Sequence, residues 1–210
     1  MHQTKMESLL LEHIARHTIA IDRYLPADNR ERALLGLERL HRMGQISQWT
    51  HQSGLRYWTR SASKPLSDSS LVRSLGFLLF CQQPTRRRLT SSDIDEFFPS
   101  LFRHGLPGGH YIDCETDSPC LGRACVDTGA SKVKRITVRA GEMIRKYRQS
   151  EAFNVLLKDN RFQITWIVPT TAKQHRLTEA LAPLVLTGVN CRVCAIPELL
   201  NVLAPIPQRV

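Results

Sequence analysis

The sequence predicts two units, a small α+β domain over residues 1–60 and an α/β domain with a mixed central sheet over 71–210, joined by a linker at 61–70. Three observations carry this expectation. A leucine stripe in 28–43 is followed at once by two short runs rich in β-branched and aromatic residues. The stretch 61–70 is small, polar and interrupted by Pro65, which is linker composition. Beyond it, helical and strand patterns alternate, as an α/β layer requires. At 210 residues the chain is long enough for each unit to bury its own core.

In the first unit, Leu9, Leu10 and Ile14 fall at helical spacing within 7–17, and 18–25 reads as a short middle helix stopped by Pro26. In 28–43, Leu34, Leu37 and Leu40 make one apolar stripe while Arg30, Arg32, Arg39 and Arg42 occupy the other faces. Asp28 with Glu31 three residues on has capping-box spacing, and Gly44 stands where a helix ends in a left-handed residue. The runs 45–50 and 55–60 flank His51-Gln52-Ser53-Gly54, which is hairpin chemistry.

In the second unit, the apolar run 71–81 is a buried helix or a strand, two readings that periodicity does not separate. The run Arg86, Arg87 and Arg88 reads as solvated charge, and 91–98 as a capped helix. Gly108 and Gly109 break the chain before two strands, 111–114 and 121–128, separated by a turn containing Pro119. A helix over 133–150 buries Ile136, Ala140, Met143, Ile144 and Tyr147. Residues 162–169 have the apolar density of a strand buried on both faces. A helix at 171–182 stopped by Pro183, a strand at 191–196 and a helix from Pro197 complete the unit.

The pattern Leu37-x-x-Leu40-x-x-x-Gly44-x-Ile46, with Gly54-Leu55-Arg56-Tyr57-Trp58 some ten residues on, resembles the winged helix-turn-helix DNA-binding domain. That resemblance implies a second helix lying in the major groove and a hairpin wing on the backbone or minor groove. By position it makes Arg30, Arg32, Arg39 and Arg42 the candidates on the reading helix, with His51 and Arg56 in the wing. The bland alternatives are an amphipathic helix with solvated charges, and a winged domain used as a protein–protein adaptor.

Lys+Arg 29 against Asp+Glu 19 leaves a net charge of +10, which favours a polyanionic partner, nucleic acid first and an anionic membrane surface second. Double-stranded DNA is the expected partner, with homodimerisation an open expectation. No apolar run approaches the roughly 20 residues of a membrane span, and the first residues lack the features of a secretion signal. A cytoplasmic location and reduced thiols for the six cysteines are therefore expected. A second basic surface is expected on the 133–150 helix and the residue before it, from Lys132, Lys134, Arg135, Arg139, Arg145, Lys146 and Arg148 against one acid, Glu142.

The order of the second unit, a helix, adjacent strands, a long helix, a buried strand, a helix and a last strand, resembles the restriction-endonuclease-like fold of the PD-(D/E)xK nucleases. Joined to a winged domain, and with Tyr111-Ile112-Asp113, Ala124-Cys125-Val126-Asp127-Thr128-Gly129, Arg145-Lys146-Tyr147 and Trp166-Ile167-Val168, it resembles the replication-relaxation family of plasmids and mobile elements. Nucleases of that fold use two carboxylates to hold Mg²⁺ and a lysine to position the attacking water. Here Asp113 stands for the first acid. The triplet on the next strand is Cys125-Val126-Asp127, with a thiol in place of the second acid, and a hard cation prefers oxygen. An active enzyme would then rest on Asp113 and Asp127 with Lys132 or Lys134, against the plain alternative that 127–129 is a strand-to-helix turn.

Cys191 and Cys194 have the spacing of a zinc or redox pair but fall in a strand, where positions three apart face opposite ways. No confident metal site follows. The leading expectation is a DNA-binding regulator or a replication or maintenance factor of a plasmid, phage or mobile element, with a nuclease-like domain lacking its catalytic set and no cofactor. A Mg²⁺-dependent DNA endonuclease is the alternative.

Overall fold

The computed structural model describes residues 4–25, 29–61, 64–102, 108–115, 119–129, 131–185 and 189–203. The protein is α+β, with a three-stranded antiparallel sheet in one unit and a five-stranded mixed sheet in the other. The units are Met1–Leu78 with Leu200–Val210, and Leu79–Leu199.

In the first unit, α1 (Lys5–His17) opens with a capping box in which Thr4 Oγ1 accepts from Glu7 N–H at 3.3 Å and Glu7 Oε2 accepts from Thr4 N–H at 2.8 Å. Thr18, at φ 68°, ends the helix. The middle helix expected at 18–25 does not form. Ala20–Ile21 is a strand, β1, followed by a single 3-10 turn at Asp22–Tyr24. Both residues of β1 are buried, and pairing with β3 satisfies their backbone, so tertiary context overrides a short pattern that fits either structure. Pro26 and Asp28 lie outside the described residues.

Helix α2 (Arg30–Arg42) has Asn29 at its N-cap and ends in a Schellman arrangement, with Gln45 N–H donating to Leu40 C=O and Gly44 N–H to His41 C=O. Gly44, at φ 71°, supplies the left-handed residue expected there. The hairpin follows as β2 (Ile46–Thr50) and β3 (Arg56–Arg60), with β3 central in the order β1-β3-β2. Leu37, Leu40, Ile46 and Trp58 form the core with Leu10 and Ile14 of α1. Full burial of Leu37 and of Leu40 each contributes about 1.5–3 kcal/mol.

Helix α3 (Asp68–Phe80) resolves the ambiguity of the apolar run in favour of a helix. The unit division falls between Leu78 and Leu79, inside α3, and not in the expected 61–70 linker. Local bonds explain the shift. Leu66 N–H donates to Tyr57 Oη at 3.0 Å, His51 Nε2 lies 3.4 Å from Asp68, and the Thr18 and Ser74 hydroxyls meet at 2.7 Å.

The second unit runs β4 (Arg86–Arg88), α4 (Ser91–Phe97), α5 (Pro99–Phe102), β5 (His110–Asp113), β6 (Cys120–Val126), α6 (Val133–Arg148), α7 (Glu151–Lys158), β7 (Phe162–Val168), α8 (Thr171–Val185) and β8 (Asn190–Ala195). A 3-10 turn at Pro197–Leu199 leads to the short helix α9 (Leu200–Leu203), which belongs to the first unit. The sheet order is β4-β5-β6-β7-β8, antiparallel as far as β6 and parallel from β6 to β8. Several elements depart from expectation. The arginine run is a strand with Arg86 buried, α5 and α7 are additional helices, and α8 continues two residues past Pro183. One lost backbone bond in a last turn is tolerable where the helix is about to end.

One face of this sheet is apolar. Ile112, Leu121, Cys125, Phe162, Ile164, Trp166, Val168 and Val193 pack against buried side chains of α4 to α8, among them Ile136, Ala140, Ile144, Leu177 and Leu181. The other face is polar and is organised around Tyr111, which lies across Gly122 of the neighbouring strand and shares a 2.7 Å hydrogen bond with Thr165 Oγ1. A methyl group at Gly122 would sit 2.0 Å from the ring. Gly122→Ala should therefore displace Tyr111 and lower stability by about 2–4 kcal/mol, read from the urea unfolding midpoint. Tyr111→Phe, which loses only the hydroxyl, should cost about 1 kcal/mol.

Candidate functional site

The arginines of α2 separate into two groups. Arg30, Arg32 and Arg42 are exposed. Arg39 is half exposed and its Nε lies 3.2 Å from Glu7 Oε1, the buried carboxylate of the α1 capping box. It clamps α2 to the start of α1. Arg56 is similarly committed, paired with Asp22, whose second oxygen accepts from Trp58 Nε1 at 2.6 Å. His51, expected to contact DNA, instead holds the hairpin turn. Its Nδ1 sits 2.8 Å from Ser53 Oγ and 3.2 Å from Ser53 N, and its side chain is only 7 % exposed. Gly54, at φ 79°, completes that turn.

Helix α6 carries the second basic surface. Ile136, Ala140 and Ile144 face the core, while Lys134, Arg135, Arg139, Arg145, Lys146 and Arg148 are exposed, as is Lys132 at the N-cap. Sixteen residues spread these charges along about 24 Å, the length of several phosphate spacings.

The two carboxylates expected to share a cation do not meet. Asp113 is in register with Cys120, the first residue of β6, whereas Asp127 follows Val126, the last. The seven-residue strand between them spans roughly 20 Å, far beyond what two ligands of one ion allow. Lys132 and Lys134 belong to the Asp127 end. Among the described residues no three His, Cys, Asp or Glu side chains cluster as metal ligands.

Each carboxylate has its own cation instead. Asp113 pairs with Arg86 at 3.0 Å, both buried, with Arg192 at 3.8 Å, and the Arg86 guanidinium lies over the Phe80 ring. Asp127, fully buried, pairs with Lys173 Nζ at 2.5 Å and accepts from Gly129 N–H at 3.2 Å. The turn reading of 127–129 accounts for that last bond.

Lys173, the partner of Asp127, is one of the residues lining a cleft of about 660 Å³, with Ser131, Lys132 and Val133 at the start of α6 and Thr170, Ala172 and Arg176 at the start of α8. Lys173, Arg176, Thr170 and Ser131 carried no functional expectation from the sequence. The available signal was topological, because parallel strands followed by helices open a crevice at their carboxyl ends.

Cys191 and Cys194 do not form a pair of ligands. Cys191 packs with the apolar core, whereas Cys194 lies toward Arg86 and Arg192 on the polar face. Burial pushes the Cys191 thiol up to about 11 and Cys120 likewise to about 11, so both stay protonated near neutrality and are poor metal ligands or nucleophiles.

Comparison with known protein families, with characterised proteins and with solved structures finds no match for this chain.

The Asp127–Lys173 pair gives a direct test of how the cleft is held. Lys173→Ala should destabilise by about 3 kcal/mol because it leaves a buried carboxylate without a counter-charge. Lys173→Met combined with Asp127→Leu should recover more than half of that loss in urea unfolding; equal losses would mean the pair contributes nothing as a pair.

Proposed function

We propose that this protein binds double-stranded DNA through its first unit, as a winged helix does. The observation that carries the reading is the arrangement of α2 and its hairpin. A helix with Arg30, Arg32 and Arg42 exposed runs through a glycine turn into β2 and β3, within a β1-β3-β2 sheet. Such a helix fits the major groove, and a two-stranded ribbon beside it reaches the adjacent backbone.

The basic face of α6 suits sequence-independent phosphate contacts, so the second unit adds affinity rather than readout. Its order, a helix, adjacent strands, a long helix, a buried strand and a further helix and strand, supports the nuclease-like resemblance as a scaffold. The separation of Asp113 from Asp127 removes the observation on which hydrolysis depended. Among the described residues no helix is long and apolar enough to cross a membrane. A transcriptional regulator or a replication or maintenance factor of a mobile element is the role this activity serves best.

Duplexes selected from a random pool, titrated by fluorescence anisotropy, test the division of labour. Combined Arg30→Ala, Arg32→Ala and Arg42→Ala should weaken the selected site by at least about tenfold and relax sequence preference. Arg135→Ala with Arg145→Ala should weaken all sequences alike and reduce the salt slope by roughly one unit per arginine. No salt-dependent duplex binding by the wild-type protein would overturn the reading.

A further inference from the structure

The cleft beside the Asp127–Lys173 pair shares only Lys132 with the basic surface of α6, and its own chemistry points to a different ligand. β6 and β7 are adjacent and parallel, so the chain leaves both at the same edge of the sheet and enters α6 and α8 there. The described lining contains three cations, Lys132, Lys173 and Arg176, two hydroxyls, Ser131 and Thr170, and no carboxylate. Asp127, fully buried and outside the lining, pairs with the Lys173 ammonium. Lys173 remains 18 % exposed, with donors left over for a second partner.

The placement of these cations runs against the helices that carry them. A helix N-terminus has positive partial charge and is stabilised by acids, yet neither α6 nor α8 has an acid in its first turn. At the N-cap of α6 stands Lys132, which has no acceptor to offer and makes no capping bond. Lys134 and Arg135 follow within the same turn. Two helix starts and three cations thus share one space with a single buried counter-charge, the Asp127 partner of Lys173, and this surplus of positive charge favours an anion in the cleft.

We propose that this cleft binds a phosphate monoester. Arg176 has the planar fork that suits two phosphate oxygens, Lys132 and Lys173 add point charges to the same lining, and Ser131 and Thr170 add hydroxyls, that of Thr170 already accepting from Lys173 N–H at 3.2 Å. Val133 and Ala172 give an apolar wall, and the volume is that of a site for a nucleotide-sized ligand. A dianionic terminal phosphate matches the charge better than the single charge of an internal phosphodiester. Two sources carry that group, a free nucleotide and the 5′ end of a DNA strand. The proposal does not rest on duplex reading by α2.

Calorimetric titration of the full chain with 5′-AMP, adenosine, and one short single-stranded oligonucleotide bearing either a 5′-phosphate or a 5′-hydroxyl tests it. The expected result is binding of a phosphorylated probe at least about tenfold tighter than its unphosphorylated partner, with that difference lost in Arg176→Glu and in Lys132→Glu. Both residues are exposed, so the substitutions leave the fold intact, which circular dichroism verifies. Preference for 5′-AMP identifies a nucleotide site, and preference for the phosphorylated oligonucleotide a strand-end site. The Arg30, Arg32 and Arg42 variant should keep the phosphate preference, which separates failure here from failure of duplex binding. Equal affinity for phosphorylated and unphosphorylated probes, no binding of either phosphorylated probe, or undiminished preference in the charge-reversed variants overturns the proposal.

Discussion

Strand β6 pairs antiparallel with β5 on one side and parallel with β7 on the other, and most of what the second unit does follows from that change of sense. An antiparallel neighbour returns by a short connection, so Asp113 is delivered to the starting edge of β6. A parallel neighbour needs a crossover helix, so α6 begins at the finishing edge, beside Asp127 and opposite the start of α8. The same strand therefore keeps the two acids apart and gathers Lys132, Lys173 and Arg176 together. Its alternation also divides the sheet, with Leu121 and Cys125 on the apolar face and Gly122 making room for Tyr111 on the other.

In the first unit the governing constraint is what a buried and a partly buried carboxylate require. Glu7 is buried and Asp22 partly so, and an unpaired charge in either place is costly. Arg39 and Arg56 meet that need and hold α2 and β3 in place. Arg30, Arg32 and Arg42 have no such duty and stay at the surface. The exposed basic surface of α2 is thus smaller than the arginine content of the helix suggests.

Much of the fold was legible because local chemistry and tertiary context agree. Leu34, Leu37 and Leu40 mark the buried side of α2, Gly44 its end, and the aromatic runs its hairpin. The uniformly apolar 162–168 is a strand buried throughout. Legibility failed where a partner lies far along the chain. Nothing local tells Arg39 from Arg42, since Glu7 belongs to another helix, and nothing in the run 86–88 shows that Arg86 answers Asp113. The segment 18–25 misleads for the same reason: only the free edge of β3 makes Ala20 and Ile21 a strand. The cleft was invisible because its two halves come from helices separated by α7 and β7.

Hydrogen exchange of the full chain, with and without a selected duplex, tests the DNA-binding reading most directly, because it locates the contact as well as detecting it. The expected result is slowed exchange across α2 and the β2–β3 hairpin, with weaker protection along α6, all diminishing as salt rises. Unchanged exchange in α2 and the hairpin at saturating duplex, or protection confined to other elements, would contradict it.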